Sequence, residues 1–261
     1  MRDSNVDGVV VGRPYQEIYE QSASQKYPIG MKHERHGRRW RYSYAVENFH
    51  FAHRGCPNLN LVPGATGGDA HGIEKNLYAA AKKGETSVIV QNGAAGTLFP
   101  VDYFVGGLMV VFSTGLNPDL FCLRVSGNDL FTATYGKVYL DEPLPVDMDI
   151  LGTGYGVGGY GVNLHPSPYS RVGSSQSATG ARTVVVVPSI KVTAANWFWG
   201  QTKGPCWVTP TTFGGGRNKF FNGSDGCIID AATSHTLQFA GLAMPADTGT
   251  YGDGVILLML E

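Results

Sequence analysis

His33, His36, His50, His53 and Cys56 form the densest set of soft metal ligands in the sequence. Zinc takes such nitrogen and sulfur donors in a tetrahedron, so the residue types fit. The spacing fits less well. His50 and His53 stand three apart, which would align them on a helix, whereas the surrounding pattern is strand-like and sends them to opposite faces. Solvated or hydrogen-bonded histidines near an arm or an interface are the better reading, with a metal as the alternative. Asp141 with Glu142, and Asp147 with Asp149, have the composition of a glycosidase acid and base, but they sit at turn-like spacing in a proline-rich segment, where carboxylates are usually solvated. Gly154, Gly156 and Gly159 spell GxGxxG. That motif works by opening a helix whose N-terminus receives a pyrophosphate, and Pro166 and Pro168 argue against a helix there. The sequence has no GxSxG or HExxH, and Cys56, Cys122, Cys206 and Cys227 are scattered without a CxxC pair, as buried free thiols would be. The expectation is a protein that is not an enzyme and needs no cofactor.

Two segments offer surfaces for recognition. Residues 33–42, HERHGRRWRY, interleave Arg35, Arg38, Arg39 and Arg41 with Trp40 and Tyr42. Such interleaving can bind single-stranded nucleic acid. A stronger reading follows from alternation, which turns the aromatics inward and the arginines outward, where they meet acidic groups of a neighbouring subunit. Direct nucleic-acid binding is therefore not expected. The second segment is Asn196–Pro205, in which Trp197 and Trp199 flank Phe198; they either fill a core and subunit interface or form a sugar-stacking surface. The candidate interface residues are Tyr15, Tyr19, Tyr27, Arg38, Arg39, Arg41, Trp197 and Trp199.

The elements that must position these groups read as strands. From Arg38 to Ala45 aromatic and polar residues alternate with period two, which puts Trp40, Tyr42 and Tyr44 on one face. Further strands are expected at 86–90, 106–112, 121–125, 137–140, 183–187, 197–199, 206–208 and 255–260. Leu77–Lys83 has helix-forming alanines but also reads as an extended lead into the next strand. Residues 1–36 lack a sustained period and are broken by Pro14, Pro28 and Gly30, so they are expected to be an extended arm with a helical turn or two near YQEIYEQSA. Residues 37–261 form the body, with a junction between two sub-domains as an option near 150–182. With 36 Gly and 14 Pro the chain is punctuated by turn formers throughout. The fold class is accordingly all-β, a mainly antiparallel barrel or sandwich with long glycine-rich loops.

The formal net charge of −1 gives no general drive toward nucleic acid or anionic membranes. No stretch approaches 18 apolar residues, and the first residues lack the apolar core of a secretory signal, so synthesis in a cytosol and no membrane partner are expected.

Five segments, Tyr27-Pro28-Ile29-Gly30, Gly37–Tyr42, Val105–Val111, Lys137–Leu144 and Asn196–Pro205, occur in an order that resembles a group of tailed-phage virion proteins regarded as head decoration or cement-like proteins. Residues 56–72, 152–161 and 214–226 look longer or more irregular than that pattern. The resemblance implies a capsid decoration protein at the virion surface, assembled in the host cytoplasm, that stabilises a phage head through contacts with the major capsid protein and with copies of itself, as a homotrimer. The alternatives are a major shell or tail component, or a glycan-binding adhesin using Trp197 and Trp199.

Overall fold

The computed structural model describes residues 9–10, 15–59, 73–92, 98–113, 121–150, 159–174, 183–211, 216–222, 224–230, 237–244 and 254–261. Among them there is no helix, and the protein is all-β. Most of the GxGxxG segment, and much of the irregular stretches 56–72 and 152–161, lie outside the described residues.

The strands fall into two compact units. Unit 1 comprises residues 1–64 and 168–261, and unit 2 comprises residues 65–167. The first half of unit 1 carries β1 (Val9–Val10), β2 (Gln21–Ser22), β3 (Lys32–Arg35), β4 (Arg38–Ala45) and β5 (Cys56–Pro57). Unit 2 carries β6 (Ile73–Asn76), β7 (Ser87–Gln91), β8 (Leu108–Ser113), β9 (Phe121–Asn128), β10 (Tyr135–Leu140) and β11 (Tyr160–His165). The chain then returns to unit 1 for β12 (Val184–Pro188), β13 (Asn196–Trp207), β14 (Asn218–Phe221), β15 (Ile228–Asp230), β16 (Phe239–Ala243) and β17 (Val255–Met259). The return at 167/168 lies within the interval expected for a junction. The crossing at 64/65 was not anticipated.

In unit 1 the path runs β1-β3-β4-β13-β17-β16-β14-β15, with β2, β5 and β12 attached beside it. Among the described residues its strands pair antiparallel, except β1 with β3, and two isolated bridges, Ala45 with Val172 and Pro210 with Ile228, are parallel. The expected strands at 197–199 and 206–208 are one strand, β13. It survives Gly204 and Pro205 because its ladder with β4, shifted by a bulge between Gln201 and Lys203, ends at the Lys203–Arg39 pair, and proline tolerates a flank that has lost its partner. Val184, Val187, Val208, Ile228, Ile256 and Leu258 form one buried cluster beneath these strands. Phe49, Val172, Val186 and Phe198 form another.

In unit 2 the order is β6-β11-β8-β9-β10-β7. An antiparallel bridge between Leu77 and Val90, with Tyr78 N donating to Ile89 O at 2.8 Å, brings the two ends of that order together as in a barrel. Leu77–Lys83 is thus not helical, its alanines overridden by this pairing and by a bridge from Ala81 to Met148, with a bend at Tyr78 and Ala79 between them. Alternation sends Val88, Val90, Met109, Val111, Leu123, Val125, Val138, Val162 and Leu164 into one apolar core. Phe131 closes on that core at a position where only glycine fits opposite: a Cβ on Gly136 would stand 2.2 Å from the Phe131 ring.

Candidate functional site

The aromatic and basic groups that the sequence singles out converge on β3, β4 and β13 of unit 1. β3 and β4 make a hairpin in which Lys32 faces Arg41, His33 faces Trp40, Glu34 faces Arg39 and Arg35 faces Arg38. The boundary expected between arm and body, at 36/37, is the two-residue turn of this hairpin. KHER contains no apolar alternation, so β3 was not apparent in the sequence. Residues 15–36 are folded against β4 and β13, with Tyr27, Ile29 and Met31 buried. The helical turn expected near residue 17 is a single turn, Glu20 N to Glu17 O at 3.1 Å.

Gln16 ties this segment down. Its Oε1 accepts from Tyr42 OH at 2.7 Å, its Nε2 donates to Glu20 O and Trp197 O, and its carbonyl accepts from Trp199 Nε1 at 2.9 Å. Around it Tyr27, Tyr42 and Trp199 meet with ring centroids 5.0–5.4 Å apart, and Trp197 stacks on Tyr42 at 5.5 Å. Burial pushes the Tyr42 hydroxyl up to about 12, so it stays a donor. Of the candidate interface aromatics, Tyr27 and Trp199 are therefore core residues and Trp197 is half-buried, whereas Tyr15 and Tyr19 are 73% and 60% exposed.

The arginines find their acids within the same chain. Arg39 pairs with Glu34 at 2.6 Å and Glu261 at 2.9 Å, and Arg41 pairs with Glu261 at 2.6 Å. Tyr169 OH donates to the same Glu261 carboxylate at 2.7 Å. Burial alone would raise the Glu261 carboxyl, but the donors on Arg41, Tyr169 and Arg39 outweigh it and hold the group at about 2. Arg38 has no such partner among the described residues and instead donates to Gln201 Oε1. Glu261, Tyr169, Gln201 and Lys203 were not singled out from the sequence. The one available signal was that a run of four arginines needs counter-charges from elsewhere in the chain.

The other candidates are dispersed. His33 is buried between the Trp40 and Trp199 rings, and His53 packs edge-on to Trp207, where burial lowers its pKa. His36 and His50 are exposed. Among the described residues no group of three or more His, Cys, Asp or Glu is placed to hold a metal ion. Asp147 accepts from Lys83 N and pairs with Lys82, closing a surface turn, while Asp141 pairs with Arg124 at 3.3 Å.

No protein-family model, curated protein or solved structure matches the chain.

Proposed function

We propose that the chain is a structural subunit of a virion, a decoration protein on the head of a tailed phage, held there by contacts with the major capsid protein and with copies of itself. What supports this reading, beside the sequence resemblance, is the outward face of β16 and β17. Leu242, Val255, Leu257 and Met259 are each 37–44% exposed, and Leu242 stands directly opposite Leu257. Pro205 and Trp207 of β13 extend the row, facing Leu257 and Val255. Singly exposed apolar residues are ordinary, whereas a contiguous row on interior strands marks a contact surface. Lys203 of β13 stands opposite Met259 and bounds the row at that end, while the row itself is apolar, so another face of the same kind matches it best, and a second copy of this chain supplies one. Self-association at this face multiplies weak contacts with the shell.

Leu257→Lys, at an outward position, leaves the core intact. Wild-type protein is expected to sediment as an oligomer and to bind purified heads lacking it, and the variant to sediment as a monomer with at least tenfold lower occupancy. A variant that keeps both the oligomer and the occupancy rules the reading out.

A second reading, glycan binding, rests on a different observation. The burial of Trp199 removes one of its two original residues, but Tyr78 and Tyr135 of unit 2 are both exposed and stack with centroids 5.1 Å apart, a surface of the kind sugars pack against. Tyr135→Ala should abolish binding on a glycan array. If the wild-type protein binds no glycan there, this reading fails.

A further inference from the structure

The turn of the β3–β4 hairpin and the bulge of β13 enclose a concavity of about 350 Å³ walled by Glu34, Arg35, His36, Arg38, Arg39 and Lys203. Backbone geometry gathers these cations. Arg35 and Arg38 are direct cross-strand neighbours, a placement in which like charges repel. The turn joining them has positive φ at both residues, 51° at His36 and 73° at Gly37, as two-residue hairpins with the common twist require. On the other side Gly204, at φ 87°, lies so near the turn that a Cβ would stand 2.2 Å from Gly37 O. That close approach needs glycine, and it brings Lys203 into register with Arg39 at the same rim.

The charges are compensated unequally. Arg39 is neutralised by Glu34 and Glu261. Arg38 is oriented without being neutralised: its Nε and Nη2 both donate to Gln201 Oε1, at 3.2 and 2.7 Å, and its guanidinium lies 4.8 Å from the centroid of the Trp40 ring. Gln201 is itself fixed, fully buried, with Nε2 donating to Lys203 O at 3.0 Å and Pro205 O at 2.9 Å. Arg35 Nε donates to His36 Nε2 at 3.1 Å, again a neutral acceptor. Among the described residues no carboxylate lies within ion-pair distance of Arg35, Arg38 or Lys203.

We infer that this concavity binds a small oxyanion of the phosphate class. Arg38 supplies a preset fork, and Arg35 and Lys203 supply the mobile charges that close on the ligand. A planar guanidinium matches paired oxygens, and three cations without an ion-pair partner among the described residues, with only the Glu34 carboxylate acting on Lys203 at longer range, favour a ligand carrying more than one negative charge. A nucleic-acid backbone fits less well, because it is tracked by a stripe of basic groups and here the neighbouring Arg39 and Arg41 are already neutralised. The ligand also relieves the Arg35–Arg38 repulsion, so its binding is coupled to the stability of the hairpin.

The test is calorimetric titration of the full chain with inorganic pyrophosphate, inorganic phosphate and a fifteen-nucleotide oligothymidylate at one ionic strength. Pyrophosphate is expected to bind with one-to-one stoichiometry, more tightly than phosphate, and to raise the melting temperature. Arg35→Gln and Lys203→Gln, both at exposed positions where folding is not at risk, should each weaken it about tenfold. Arg38→Lys, which keeps the charge and loses the fork, should weaken it similarly. The inference is overturned if pyrophosphate does not bind, if the Arg35→Gln, Lys203→Gln double variant binds it as wild type does, or if the oligonucleotide binds more tightly than pyrophosphate.

Discussion

Arg41 Nε donates to Glu261 Oε1 at 2.6 Å while Arg41 Nη2 donates to the other carboxylate oxygen at 2.9 Å, so a two-pronged bond fastens Glu261, two residues beyond β17, to the middle of β4. The folded state holds the Glu261 carboxyl at about 2, well below the ordinary 4.5 of a glutamate. Its contribution is therefore complete above about pH 5 and is lost as the pH falls from there toward 2, because the unfolded chain takes up the proton first. Glu261→Gln should remove on the order of 2 kcal/mol at pH 7 and almost nothing at pH 2. Urea melts of both proteins across that range measure the difference, and a constant gap between them would contradict the assignment.

Gln16 is a second fastening, and its loss is local. Gln16→Ala leaves Trp199 Nε1 its backbone acceptor but removes the acceptor of Tyr42 OH, at a cost of about 2 kcal/mol. Hydrogen exchange should speed up across residues 15–27 and little elsewhere. Unchanged protection there would mean that the aromatic contacts alone hold the segment.

Unit 2 has its own point of failure at Gly136. Gly136→Ala places a methyl group against the Phe131 ring, and overpacking of this kind costs about 1–3 kcal/mol. Phe131→Leu in the same chain should restore part of the loss. All four tryptophans lie in unit 1, so hydrogen exchange in β7, β9 and β10 is the readout, not tryptophan fluorescence.

The thiols divide by burial. Cys56, Cys206 and Cys227 are buried and Cys122 is exposed, and burial pushes the Cys206 thiol up to about 12. At pH 8 the native protein should yield one fast-reacting thiol with a disulfide reagent and four after denaturation, since the thiolate is the nucleophile. Cys122→Ser should abolish the fast phase.

Strands were legible where one face is apolar. β4 announces itself by placing Trp40 and Tyr42 two apart, and β7, β9 and β10 show the same alternation. β3 did not, because KHER buries His33 alone and takes its place from pairing with β4, a nonlocal cause that no local pattern carries. The same holds for the site. Arg38, Arg39 and Arg41 were visible as a cluster, but which of them would be neutralised depends on Glu261, 220 residues from Arg41. The reach of β13 was hidden by Gly204 and Pro205, which read as a stop but keep their places in the ladder with β17, opposite Leu258 and Leu257.

Unit 1 is built from two stretches of chain separated by the whole of unit 2, and this sets a schedule for synthesis. β4 pairs with β13, so Ala45 must wait for Asn196 to be made, an interval of roughly 8–30 seconds at ribosomal speeds of about 5–20 residues per second. Unit 2 is contiguous and can close within that interval. Until then β4 has β3 on one edge only, and a cell making this protein in quantity must shield the open edge from its neighbours on adjacent ribosomes.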